Sequence, residues 1–357
     1  MESNTPKYVF YGFVVLMIGA LAAVGLHSRN QLPAEQPFVG SGSTFVSPLM
    51  VQWSASYERT ELGKKIDYQS GGSGFGIKSI LSKKVDFACT DAPLTDEQMA
   101  MARAAGGDII HVPLILGAVV PAYNLPEVSE AVRFSGPVLA DIYLGKIKKW
   151  DDDALKELNP KIKDELPKKE IVVVHRSDGS GTTYIWADYL SKVSPAWKEK
   201  VGVATDLTWP VGVAVGGNEG VAKEVKKTAW SIGYVELTYA FRFDLKMGLV
   251  RNREKEFIRA GLESVRAAAD NGLADLPEDL RFSLTDPPGK GSFPICGATW
   301  AVVYVNQPGN KGRRLYDFLY WAVGPGQDEA DLLLYVRMPE SLNRRVVDQL
   351  KKIKVDE

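Results

Sequence analysis

Cysteine is nearly missing from this chain of 357 residues, which holds only Cys89 and Cys296. A four-cysteine zinc cluster and a multi-disulfide scaffold are thereby excluded, and at most one internal bridge remains. Histidine is as scarce: His27, His111 and His175 stand alone, with no HExxH pattern to suggest a His-ligated metal enzyme. Net charge is lacking too. With 43 Lys and Arg against 44 Asp and Glu the formal charge is -1, so no overall basic field collects nucleic acid or anionic lipid, and any anion site must be local. No low-complexity segment or fixed-period repeat occurs. What is present is ordinary globular material, 45% apolar and 24% charged, long enough for two domains.

From Tyr8 to Leu26 there is no charged residue, and ~20 apolar residues are needed to cross a membrane core. This N-terminal apolar helix meets a membrane, either as a retained signal-anchor or as a signal peptide that is removed. The Ala/Gly-rich end, Gly19 to Gly25, suits cleavage, whereas the length exceeds the usual signal core. No cysteine lies near, which excludes a lipoprotein anchor. Either form exports everything after His27. Ser28 to Gln36, flanked by Pro37, reads as a linker, so residues 1–37 stand apart from the folded body.

From Phe38 onward, β-branched or aromatic runs alternate with amphipathic stretches, the pattern of an α/β protein. Leu49, Met50, Trp53 and Tyr57 fall at helical spacing after Pro48, while Ile171 to Val174 and Trp300 to Val305 read as buried strands. Glu278 to Ser292 is a linker-like break. Lys311 to Trp321, Asp328 to Tyr335 and Ser341 to Ile353 read as helices.

Three Gly/Ser loops lead into predicted helices: Gly40 to Phe45, Ser70 to Gly76 and Arg176 to Thr183. Amides at a helix N-terminus lack intrahelical partners and sit at the positive end of the macrodipole, so they bind oxyanions, and glycine allows close approach. Neither familiar phosphate motif fits. Gly71 to Ser79 misses the Walker A spacing by one residue, Ile77, and no GxGxxG follows a strand. The loops are better read as a cage for a small free oxyanion. Arg176 can supply a charged fork, oriented by Asp178 two residues on. Asp91, at the end of a short strand, makes sense in an anion site if the ligand carries a proton, because an ionised carboxylate only accepts hydrogen bonds. Lys146, Lys148 and Lys149 read as a solvated face without a ligand role.

These residues carry a resemblance. GSGSTF at 40–45, YQSGGSG at 68–74, VDFACTDAPLTDE at 85–97, HRSDGSGTTY at 175–184, VGGNEGVA at 215–222 and SIGYVE at 231–236 make the chain similar to the phosphate-binding proteins of bacterial ABC phosphate importers, from about Phe38 to Ile353. The resemblance implies a two-lobed periplasmic-binding-protein fold with the ligand cleft between lobes, lobe I being 38–113 plus 294–357 and lobe II 114–293. It implies that Thr44, Phe45, Ser73 and Asp91 contact phosphate from lobe I, and Arg176, Ser180, Gly181 and Thr182 from lobe II, with Asp178 supporting Arg176. The implied role is extracytoplasmic high-affinity binding of inorganic phosphate and delivery to the permease subunits of an ABC importer. The protein would act as a monomer without metal, cofactor or nucleic acid, in the periplasm or on the outer face of the cytoplasmic membrane. Ser43, Gly74, Cys89 and Cys296 depart from the family pattern.

Two alternatives stay open: a phosphate scavenger or sensor without a permease, and a phosphate-ester hydrolase using Ser73 or Ser180 with His175 as base. Against the second, His175 and Arg176 are consecutive on a strand and point to opposite faces. For the cysteines, a bridge between Cys89 and Cys296 and two separately buried thiols are both compatible with the sequence.

Overall fold

The computed structural model describes residues 38–354; the apolar segment 8–26, with the expectations of a helix, an anchor or cleavage placed on it, lies outside the described residues. Among the described residues no helix is long and apolar enough to cross a membrane.

The chain opens as β1 (Phe38–Gly42), α1 (Ser47–Glu58), β2 (Ile66–Ser70), α2 (Ser73–Leu81), β3 (Phe87–Thr90), α3 (Asp96–Gly106) and β4 (Ile109–Tyr123). A second block follows with β5 (Arg133–Phe134), α4 (Gly136–Tyr143), α5 (Asp153–Leu158), β6 (Val172–Arg176), α6 (Gly181–Val193) and α7 (Pro195–Lys200). It continues through β7 (Val213–Val215), α8 (Gly217–Lys227), β8 (Ser231–Glu236), α9 (Leu237–Arg242), β9 (Lys246–Met247), β10 (Leu249–Arg251), β11 (Phe257–Ile258) and α10 (Leu262–Gly272). The chain returns through β12 (Cys296–Tyr304) and ends on α11 (Lys311–Val323) and α12 (Glu340–Leu350).

The main sheet has the order β2-β1-β3-β12-β4-β8-β6-β7, with β9 added on β4. Its two halves meet on one strand. All fifteen residues of β4 are buried, as a run this apolar requires, and β4 pairs with β12 through Ala118 and with β8 from Val119. The return is adjacent, since the Val119 amide donates to Ile295 O and Cys296 pairs with Ala118. Pro113 lies inside β4, opposite Trp300, where the register with β12 shifts between Thr299 and Trp300. A proline cannot complete the ladder, and a bulge there re-aims the neighbouring side chain.

The helix at 47–58 buries Leu49, Met50, Trp53 and Tyr57, the four residues whose spacing predicts it. The expected helix over 328–335 is instead a pair of 3-10 segments, Pro325–Glu329 and Asp331–Leu333, closed by Leu334 at φ 63. Tyr335 from this segment is fully buried and donates to Phe45 O at 2.6 Å, so the tertiary contact overrides local propensity.

Both cysteines are buried and free, which decides against a bridge. The register explains it: Cys89 sits opposite Ala301, five positions along β12 from Cys296, roughly 16 Å at strand rise. Burial pushes both thiols well above their ordinary range. An alkylating reagent should therefore label neither thiol in the native chain, and both after denaturation without reductant. Mass spectrometry of the denatured, unreduced chain showing no adduct would contradict the free state.

Candidate functional site

Four helix N-termini converge where the halves of the sheet face each other: α1 and α2 from one half, α6 and α8 from the other. Their loops touch directly. The Gly74 amide donates to Gly179 O at 2.8 Å, and Tyr239 OH donates to Thr44 O at 2.8 Å. Glycine is required by this approach. A Cβ on Gly181 would collide with Ser73 Oγ and Asp91 Oδ2, and one on Gly72, at φ 91, with Asp178 Oδ2. Beside the contact lies a cleft of about 560 Å³, lined among others by Thr44, Ser70, Gly217, Asn218, Tyr239 and Arg242.

Asp91, one residue past β3, is 2% exposed and collects hydroxyls. Ser43 Oγ donates to its carboxylate at 2.6 and 2.8 Å, Thr299 Oγ1 donates to Oδ1 at 2.7 Å, and Ser73 Oγ stands 3.4 Å from Oδ2. Both oxygens thus meet hydroxyls, Oδ1 at 2.6 and 2.7 Å and Oδ2 at 2.8 and 3.4 Å, and Oδ2 is the more loosely bonded one, beside Gly181. Burial pushes the carboxyl up to about 6, against the downward pull of the Ser43 and Thr299 hydroxyls and the Arg176 charge.

Arg176 ends β6 with its side chain 1% exposed. Asp178 accepts from Nε at 2.7 Å and from Nη2, and is itself fixed by the Gly217 amide at 3.0 Å. Burial alone would raise the Asp178 carboxyl, but the hydrogen bonds and charge of Arg176 hold it below the ordinary carboxylate range. One edge of the guanidinium is therefore spent on Asp178. The Nη1/Nη2 edge is what remains for an anion, with Nη1 3.4 Å from Thr182 Oγ1.

The other residues singled out in the sequence lie here too. Phe45 directs its amide to Ser43 Oγ at 2.9 Å. Ser180 caps α6, its Oγ accepting from the Thr183 amide at 3.0 Å, while its own amide donates to Thr205 O at 2.7 Å. That leaves Ser180 its hydroxyl hydrogen. The first-turn amides of Gly181 and Thr182 have no intrahelical acceptor.

Four participants were not legible as such. Ser43 stands in a quoted motif as a mere loop variant, yet it bridges Asp91 and Phe45. Thr299 reaches Asp91 from β12, opposite the β4 bulge at Leu114 and 208 positions away in sequence, and nothing local announces it. Asn218 lies within VGGNEGVA, a run that signals kinship without a role. Glu236, at the end of β8, is wholly buried, bonded by the Thr238 amide at 3.0 Å and approached by Tyr335 OH at 3.3 Å; burial pushes it up to about 8, against those bonds.

His175 is turned away from this cluster. It stacks on Trp209 at 4.7 Å between centroids, with Nδ1 against Arg176 O. The lysines 146, 148 and 149 are exposed, Lys146 pairing with Asp141 at 2.8 Å. Among the described residues no cluster of three or more His, Cys, Asp and Glu is placed to hold a metal ion.

A family model described as a PBP superfamily domain matches residues 28–325. The phosphate-binding protein PstS of Pasteurella multocida is 40% identical over 318 residues, covering 88% of this chain and 90% of that protein. The PstS of Methanocaldococcus jannaschii is 36% identical over 346 residues, covering 92% and 89%. Among solved structures, the high affinity periplasmic phosphate-binding protein PfluDING, bound with phosphate, aligns with a TM-score of 0.70 at 19% identity over 87% of this chain and 93% of that one. The phosphate-binding protein of Stenotrophomonas maltophilia aligns at 0.66 and 18% identity, over 88% and 94%. At such identities these structures speak to the fold, a two-lobed α/β arrangement.

Proposed function

The chain belongs to the PstS family of phosphate-binding proteins, and on that premise we propose that it is an extracytoplasmic receptor that closes on one inorganic phosphate and delivers it to an ABC permease. It acts as a monomer, in the periplasm or at the outer face of the cytoplasmic membrane. The lobes are 38–113 with 294–357, and 114–293, hinged where β4 changes partner beyond Pro113. The ligand is held by Thr44, Phe45, Ser73 and Asp91 from one lobe and by Arg176, Ser180, Gly181 and Thr182 from the other.

The observation that carries this reading is a single carboxylate inside a cage of donors. Ionised Asp91 can only accept, and Oδ2 is its more loosely bonded oxygen, with a lone pair to spare, so the favoured ligand is an oxyanion that brings a proton. Helix-terminal amides, four hydroxyls and the free Arg176 edge serve the remaining oxygens. His175, the base that hydrolysis would call on, is stacked on Trp209 away from this cluster, which favours binding over ester cleavage.

Specificity follows from the same atom. Sulfate has no proton at neutral pH, so Asp91 would face a second acceptor at a penalty of roughly 1–3 kcal/mol. Calorimetric titration should show binding of phosphate and arsenate and no competition from sulfate at equal concentration. Asp91→Asn should admit sulfate, because an amide can donate where a carboxylate cannot. Sulfate competing equally with phosphate for the unaltered chain would sink the assignment.

A further inference from the structure

We propose that Asn218 is a positioning residue that fastens the two lobes together and makes hydrogen-bond donors of the Thr44 and Thr182 hydroxyls. The inference rests on the phosphate reading above. Asn218 is fully buried in the first turn of α8. Its Oδ1 lies 2.9 Å from the Glu236 amide, a group that can only donate, so the orientation of the side-chain amide is fixed and its NH2 points the other way. There Nδ2 donates to Thr44 Oγ1 at 2.9 Å and to Thr182 Oγ1 at 3.0 Å.

Those two hydroxyls come from opposite sides of the cleft, Thr44 from the loop after β1 and Thr182 from the first turn of α6. One nitrogen therefore spans the closure. It also sets polarity. Each hydroxyl oxygen is used as an acceptor, Thr182 Oγ1 facing Arg176 Nη1 as well at 3.4 Å. A hydroxyl has one hydrogen to give, and neither hydrogen has an acceptor among the described residues. Both are left for the oxygens of an anion held between the lobes. An acceptor at position 218 would reverse this, drawing the two hydrogens inward and turning lone pairs toward the ligand.

The test is calorimetric titration of the full chain with inorganic phosphate. N218A should bind about 10-fold more weakly, and the isosteric N218D about 100-fold more weakly, since it reverses both bonds and adds a like charge. T44V removes the hydroxyl through which Asn218 acts, so adding N218A to T44V should cost no more than about 3-fold further. Losses that simply multiply, or N218D binding as well as N218A, would overturn the proposal. If the Asn218 variants do not fold, hydrogen exchange of the Asn218 side-chain amide in the unaltered chain decides: the amide should be protected with phosphate bound and exposed without it, and equal exchange in both states refutes the clamp. An unaltered chain that binds no phosphate would refute the underlying reading itself, and this inference with it.

Discussion

Arg176→Ala should weaken phosphate binding by at least about 100-fold, because truncating one partner of a buried charge pair costs roughly 3–5 kcal/mol. Arg176 is sealed at the end of β6, and its Nε/Nη2 edge is committed to Asp178. Its loss removes the anion's cation and leaves two carboxylates, Asp178 and Asp91, facing an incoming negative charge. Arg176→Lys should fall between, retaining charge but not the planar fork that serves Asp178 and the ligand at once. Arg176→Ala combined with Asp178→Asn should recover part of the loss, since the stranded carboxylate is neutralised. Ser73→Ala removes a single neutral donor and should cost only about 0.5–1.5 kcal/mol. Titration showing equal losses for Arg176→Ala and Ser73→Ala would contradict this account of the site.

The unliganded chain should lose stability as pH rises from about 6.5 to about 8, and Glu236→Gln should abolish most of that slope. Glu236 is buried where β4 changes partner, opposite Val119, and its carboxyl is pushed from 4.5 up to about 8. A group whose pKa is higher folded than unfolded stabilises the fold in its protonated form. That contribution is complete below about 4.5 and disappears as pH rises through 8. Its full size is roughly 5 kcal/mol, of which roughly 2 falls above pH 6.5. Asp91, pushed up to about 6, acts in the same sense over a lower window. Below pH 6.5 the trend is opposed, because burial lowers both His111 and His175 and the unfolded chain then takes up protons. Above about pH 8 the unfolded Cys89 and Cys296 thiols begin to ionise while burial keeps the folded ones protonated, adding to the loss, so the interval from about 6.5 to 8 is the one that isolates Glu236. Thermal unfolding without phosphate at about pH 6.5 and pH 8, with equal midpoints at the two, would show that Glu236 does not titrate as its surroundings require.

Much of the body is determined by sequence alone. Four apolar residues at helical spacing behind Pro48 yield α1, and unbroken apolar runs yield β6 and β12, because strands covered on both faces need no polar alternation. The Gly/Ser loops announced an oxyanion site for a local reason: a glycine-lined turn into a helix leaves amides without partners whatever surrounds it. Arg176 and Asp178, two residues apart, were likewise a local pair.

What only the tertiary structure decided are relations between segments distant in the chain. Asp91 owes its state to Ser43 and Thr299, the latter on the returning strand where it passes the β4 bulge beside Pro113. Asn218 acquires its two threonines only when the halves of the sheet face each other. Cys89 and Cys296 share a sheet, but register along β12 keeps them apart. The segment at 328–335 gave up its expected helix so that Tyr335 could reach Phe45. Each outcome depends on register, closure or burial, which arise when strands pair and lobes meet. Periodicity carries no record of them, because it reports which face of an element is apolar and not which element that face will meet.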